Sequence, residues 1–591
     1  MSLFRNILWL NLLSIPAVAQ QLTYTVTTPD PASHLVHVEL QVDGSTNAAP
    51  VFKMPVWTPG YYQLMNYAGN VSGFTATDAQ GKTLTWSKPT PSSWKIDAGK
   101  NTSLRIRYDV LATRSFVAAS YLNHDRAYLS PAGVFLHLKD RITLPVTVTL
   151  KPLPDWSPRI ATGLEPVAGQ SYTFAASDFD VLYDSPILMG KLEELPAFSV
   201  KGIPHYFVGY QLGQFDKPGF MADLSKIVTV ASELIGDIPY KHYTFIAIGR
   251  GGGGIEHLNS TSVAFDGNQL NTRGGRLKLY NFLAHEYFHH YNVKRIRPVE
   301  LGPFNYDAEN KTRMLWVSEG FTVYYEYLVV RRAGLMSDEE LFSSFEKNLR
   351  NYENKPGRLY QSATQASYET WSDGPFGRTG DEVNKTISYY DKGPVLGLLL
   401  DFRIRYVTGN KKSLDDVMRA LYQTYYKEKK RGFTEDEFRK TCESIAGKQL
   451  NEVFDYASTT RPVDYPKYFA YAGLNIDTTQ HVVPGGWTGL TATTRNDSLT
   501  IRNVEYESPA WQAGLRSGMI VLSKNGATPR VLMPVEASLQ PGVDVVLFIA
   551  DKKGPRTVHF PAGQKREKPF TISRMPQPNT LQKAILESWL H

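Results

Sequence analysis

The chain has 591 residues, which at about 150 residues per domain predicts roughly three to four domains and excludes a single ordinary one. Apolar residues make up 42% and charged residues 20%, the balance of a folded globular chain and not of a disordered one. Basic residues exceed acidic ones by 7 with no long Lys/Arg run, and Cys442 is the sole cysteine, so a nucleic-acid surface, an intrachain disulfide and a Cys-rich metal framework are all excluded.

Residues 1–19 hold one charge, Arg5, then an apolar stretch ending in Ala17-Val18-Ala19 and polar Gln20-Gln21. This pattern predicts a secretory signal peptide cut near Ala19, and an exported protein, periplasmic in a double-membraned bacterium. The stretch is too short to span a bilayer comfortably, and no other run reaches that length. From 20 to 196, apolar and polar residues alternate in short runs separated by Gly, Pro, Asn and Asp. That spacing predicts an all-β sandwich. Within it, Met54 and the aromatic run Trp57-Thr58-Pro59-Gly60-Tyr61 read as a rigid core corner.

Residues 197–464 begin with mixed strand and helix patterns. They turn helical from 277, with helices expected over 277–293, 313–333, 338–352, 395–407, 413–426 and 434–445. Thr434 with Glu437 three residues on predicts a capped helix start. Residues 465–562 return to short strands, and 563–591 form a tail with a possible terminal helix over 581–590.

The chemistry is concentrated in the middle of the chain. His285-Glu286-Tyr287-Phe288-His289 is an H-E-x-x-H motif on a predicted helix. Its two imidazoles are one turn apart, so both project from one face and can bind one ion. Glu286 then stands near the metal and can take a proton from water there. Glu319, in Trp316-Val317-Ser318-Glu319-Gly320, follows thirty residues after His289 on a second helix. It is the natural third ligand and completes a His₂Glu set with an open position, which favours one Zn²⁺ per chain. Upstream, Gly251 to Gly254 precede Ile255-Glu256-His257. A glycine-rich strand edge followed by a carboxylate suits a cleft where substrate backbone approaches closely.

These motifs, with Asn292-Val293-Lys294-Arg295-Ile296-Arg297-Pro298 after the second histidine, resemble the glycyl aminopeptidase family of zinc metallopeptidases. The resemblance implies a multidomain α+β chain: a β-sandwich over 20–196, a thermolysin-like (gluzincin) catalytic domain over 197–464 and a PDZ-like domain over 465–562. It implies zinc on His285, His289 and Glu319, with Glu286 as general base. Glu256 would hold the α-amine of a peptide with a free N-terminus, beside Gly253 and Gly254 as substrate-binding backbone. Tyr390, in Tyr390-Asp391-Lys392-Gly393, would donate to the oxyanion, although the assignment can slip to Tyr389. The family's P-G-S-Y segment reads Pro59-Gly60-Tyr61-Tyr62 here, with Met65-Asn66 where an Arg-Asp pair is usual.

Trp487-Thr488-Gly489-Leu490 and Ser508-Pro509-Ala510-Trp511-Gln512-Ala513-Gly514-Leu515 carry the PDZ resemblance. Binding of a peptide and packing on the catalytic unit stand there as equal readings. The G-x-G-x-x-G at 249–254 opens no helix and is set aside as a nucleotide site. His257 and His290 read as outlying or surface groups, Cys442 as a bystander, and 427–431 as a solvated helix end. The resemblance implies removal of small N-terminal residues, Gly and Ala first. Two alternatives stand beside it: an endopeptidase with the same metal site, and a non-catalytic PDZ peptide-binding protein.

Overall fold

The computed structural model describes residues 20–45, 47–495, 498–526 and 539–591. The expected signal segment and its cleavage point near Ala19 lie outside the described residues.

Strict alternation drives the first sheet. Strands Gln21–Thr27, Leu35–Asp43, Ser103–Leu111 and Val146–Lys151 bury every second residue, among them Tyr24, Val38, Ile106 and Val148. They form the middle of a seven-stranded sheet, in which only Gln21–Thr27 and Val146–Lys151 run parallel. A five-stranded and a four-stranded sheet complete this β region. Phe52, Trp94, Leu129 and Met189 from those sheets share one core with the first sheet's inner face. The layers are sandwich-like, with one side of each strand dry.

Two elements lead out of the β region toward the site. The aromatic corner ends in the turn Thr58–Tyr61, which is closed by a Tyr61 N–H to Thr58 carbonyl bond. Trp57 is wholly buried, donates to the Asn305 carbonyl at 2.8 Å, and meets Phe304 and Trp371 edge-on. The corner is thus a joint between regions. Asp184 is the second tie. It accepts from Lys294 at 2.5 Å and from the Leu258 amide at 2.8 Å, with the His257 ring at 3.2 Å.

A six-stranded sheet follows. Ile203–Gly209, Tyr243–Ala247 and Ser260–Val263 run parallel, and Gly254–Glu256 lies antiparallel at the edge. The parallel pair is joined by helix Lys217–Ile235, capped by Asp216 and ended by Gly236 in the left-handed region. Helix Arg273–Phe288 starts four residues before the apolar pattern does, because Thr272 caps a polar first turn, and it ends before His289. Leu315–Ser318 and Gly320–Arg332 flank Glu319, which keeps helical angles. Helix Tyr389–Val407 begins six residues earlier than expected and carries Pro394 in its first turns. Gly320 and Gly393 meet where these helices cross: a Cβ on Gly320 would lie 2.4 Å from the Gly393 Cα. That close crossing brings the start of the second helix alongside Glu319.

The chain leaves the helical body after Tyr465–Ala470 and builds a five-stranded antiparallel sheet from Leu490–Arg495 to Gly554–Pro561, with the short helix Pro509–Gln512. Leu499, Ile501, Leu547 and Phe560 give it a core of its own. It then returns. Leu474–Ile476 pairs with Ile572–Arg574, and helix Thr580–Leu590 docks on the catalytic helices. Trp589 is buried in the main core, and its Nε1–H donates to Tyr324 at 3.0 Å. Residues 563–591 are therefore not a free tail. The sequence hides this because the helix is readable but its docking site is more than 170 residues away.

Three groups set aside in the sequence take these places. Cys442 is fully buried. The basic run at 427–431 is ion-paired, with Lys427 on Asp237 and Arg431 on Glu437, each at 2.6 Å. His257 and His290 are buried, not on the surface.

Candidate active site

His285 and His289 project from one face of the helix end toward Glu319. The His285 Nε2 to His289 Nε2 distance is 2.9 Å, and Glu319 Oε2 lies 3.1 Å from His289 and 3.7 Å from His285. Bonds of 2.0–2.1 Å to a tetrahedral ion put ligand atoms about 3.3 Å apart, inside that spread.

The outer partners fix the proton positions. His285 Nδ1–H donates to Glu326 at 2.7 Å, and His289 Nδ1–H donates to the Asn292 carbonyl at 2.8 Å. A carboxylate and a carbonyl can only accept, so both Nδ1 atoms carry hydrogen. Neutral imidazoles then turn both Nε2 atoms, with the Glu319 carboxylate, toward one buried point, a donor set suited to a cation. The titration points the same way. Burial opposes charge on all three groups, yet Glu319 pulls both imidazoles above their ordinary value, and they hold Glu319 well below the carboxylate range. The donor set fits a metal such as zinc.

The backbone after His289 is strained. Val293, a β-branched residue, sits at φ 119°. Such a conformation costs about 1–3 kcal/mol and persists only where surroundings impose it. Here the Asn292 side chain is bound to the Val317 and Ser318 carbonyls at 2.9 and 3.0 Å, and its own carbonyl orients His289.

Glu286 faces the edge strand. A Cβ on Gly254 would lie 2.3 Å from Glu286 Oε1, so only glycine admits the carboxylate there. Burial pushes Glu286 up to about 7, against the lowering pull of His285 and His289. Alternation along the strand puts Glu256 on the same side as the missing Gly254 side chain. Glu256 is 5% exposed, and its buried Oε1 has no hydrogen-bond partner. It does not line the open cleft. It borders a small, partly open space of about 10 Å³ shared with Gly60, Tyr62, Val293, Lys294 and Arg297, room for one water-sized group.

The open cleft holds about 670 Å³. Gly253, Gly254, His285, Glu286 and Tyr390 line it. The Tyr390 ring lies 6.1 Å from that of His285. Tyr389 is turned away, its hydroxyl paired with Thr370 at 2.9 Å, so Tyr390 is the tyrosine at the site.

Sequence reasoning missed three groups. Tyr62, from the β region, donates to Glu319 Oε1 at 3.0 Å, and Tyr61 and Phe116 add a wall. Their sequence gives no sign of this contact, since Tyr62 comes from a loop more than 200 residues upstream of Glu319 and Phe116 from the strand Thr113–Phe116. Glu326 did carry a signal: it is seven residues, two turns, from Glu319 on the same helix face. Asn292 stood in a quoted motif without a role.

Two outcomes follow. Glu326→Ala weakens metal binding by about 10–100-fold, read by competition with a chelator, with the fold intact by melting. Gly254→Ala forces Glu286 to move, so kcat falls at least about tenfold while metal content is unchanged.

Comparisons with known proteins agree with this geometry. Residues 23–191 match the peptidase M61 N-terminal domain, and residues 278–396 match the M61 glycyl aminopeptidase domain. The fold is shared with an aminopeptidase N family protein from Idiomarina loihiensis at 23% identity and TM-score 0.87, covering 97% of this chain and 100% of that one. An M1 zinc metallopeptidase from Deinococcus radiodurans is a more distant likeness, at 13% identity and TM-score 0.47, covering 76% of this chain and 96% of that one. No curated protein sequence matches the chain.

Proposed function

The chain carries the M61 N-terminal and M61 glycyl aminopeptidase domains and is a metallopeptidase, and on that premise we propose that it is a zinc-dependent aminopeptidase removing small N-terminal residues, Gly and Ala first, from peptides. One observation carries the reading: Glu256, buried with an unpartnered oxygen, borders a water-sized space that it shares with Tyr62, whose hydroxyl bonds Glu319 of the His₂Glu cluster. A fixed carboxylate there counts residues from the free N-terminus.

His285, His289 and Glu319 would hold the ion. When bound, zinc polarises the scissile carbonyl and acidifies water. Glu286 accepts the proton of the attacking water and returns it to the leaving amine, a task suited to a carboxylate titrating near neutrality. The Tyr390 hydroxyl donates to the oxyanion as it forms. The backbone of Gly253 and Gly254 offers an unpaired strand edge to the substrate chain. Tyr62 steadies Glu319, so the β region completes the site. The C-terminal sheet with its Pro509–Gln512 helix suits a PDZ-like module, and the apolar N-terminal segment suits export.

One observation favours an endopeptidase: Glu256 lies outside a cleft large enough for several residues. Hydrolysis of Gly- and Ala-arylamides beside their N-acetylated forms separates the two. Loss of turnover on acetylation is expected; equal turnover supports the endopeptidase.

A further inference from the structure

Phe376 is the most exposed large apolar side chain among the described residues, at 72%. It stands with Pro375 at the rim of the cleft, its ring 5.6 Å from that of Tyr390. A phenyl ring in water is apolar surface that a bound apolar group would cover.

The segment that carries this ring is held from outside the cleft. Ser388 Oγ–H donates to the Pro375 carbonyl at 2.9 Å, fixing one end. Further along, the turn Gly380–Lys385 is fastened to the C-terminal sheet. The Ser517 amide donates to both Asp381 oxygens at 3.1 Å. Asn384, buried, donates to the Val504 carbonyl at 2.9 Å and accepts from the Tyr506 amide at 3.1 Å. One side-chain amide thus satisfies two backbone groups at the end of strand Ser498–Val504. The loop is a bridge with the cleft rim at one end and the C-terminal module at the other.

Which part of a substrate meets the rim follows from where its amine and carbonyl would sit. Gly60 and Tyr62 line both the small space that Glu256 borders and the cleft, while Phe376 stands beside Tyr390. With the amine at Glu256 and the scissile carbonyl at Tyr390, the next residue of the substrate is the one nearest the rim. Resting on the aminopeptidase reading, we propose that Phe376, held in place by the C-terminal sheet through Asp381 and Asn384, recognises an apolar side chain at the second residue of the substrate.

Binding tests this without relying on turnover. Gly-Phe-Gly and Gly-Gly-Gly are titrated calorimetrically into the zinc-loaded Glu286→Gln full-length protein. About tenfold tighter binding of Gly-Phe-Gly is expected. Phe376→Ala, added to that protein, should bring the ratio to within about twofold of one. Asp381→Ala and Asn384→Ala should each lower the ratio at least threefold. Asp381→Ala alone carries the tether arm if the buried Asn384 variant melts early. An unchanged ratio in Phe376→Ala, or equal weakening of both peptides, overturns the assignment of Phe376. A ratio unaltered by both tether variants overturns the role of the C-terminal sheet. Failure of the aminopeptidase reading shows separately, as wild-type protein that leaves both free-amine peptides uncleaved.

Discussion

Glu286→Gln lowers kcat by about 10²–10⁴-fold, the range expected when a positioned general base is removed, while bound metal stays at the wild-type level. Gln keeps the shape and a carbonyl oxygen toward the Gly254 strand, so the pocket does not collapse. It cannot take the proton of the attacking water. The carboxylate is not among the three converging ligand atoms, so its loss leaves the cluster whole. Steady-state kinetics and elemental analysis on one preparation check both halves. Loss of metal together with activity would mean that Glu286 ligates, contrary to the geometry.

Glu319→Ala produces the other large effect. It removes the only anionic ligand and leaves two imidazole lone pairs 2.9 Å apart with no charge to balance a cation. Metal affinity should fall well beyond the about 10–100-fold that follows loss of an outer partner, and activity should fall to background. Tyr62 also loses its acceptor, so the β region is released from the site at that point. The check is metal content after dialysis against a chelator that wild-type protein withstands, with a melting curve to show that the fold survives. Retained metal would place the third ligand elsewhere.

How much of this was legible in the sequence depends on how local each feature is. The pair His285 and His289 is one helical turn, and Glu319 sits in a dense apolar run, so both could be read from spacing. Glu326 could have been found by the same rule, since helical position alone puts it on the Glu319 face. The choice between Tyr389 and Tyr390 could not. Adjacent residues on a helix start point in different directions, and only Thr370, from another helix, decides which one turns inward. The aromatic corner at Trp57 looked like core because its residues are core types. Its tip nonetheless reaches the metal cluster. Helix Thr580–Leu590 announces itself through Asn579 and Gln582 at its start, but nothing in those residues names Tyr324 as its neighbour. Phe376 is the extreme case, a lone aromatic in a polar loop, which is fastened to backbone groups of the C-terminal module more than a hundred residues away. Contacts within one turn or one strand were readable. Contacts that join the β region, the helical body and the C-terminal sheet were not.

The central claim is that the enzyme counts from a free N-terminus at a His₂Glu metal site. Mass spectrometry of a ten-residue peptide with Gly and Ala at its start, incubated with zinc-loaded wild-type protein, tests it most directly. The account predicts a ladder of products shortened one residue at a time from the N-terminus, abolished by N-acetylation and absent with Glu286→Gln. Internal fragments appearing from the first time point, in acetylated and free peptide alike, would contradict it.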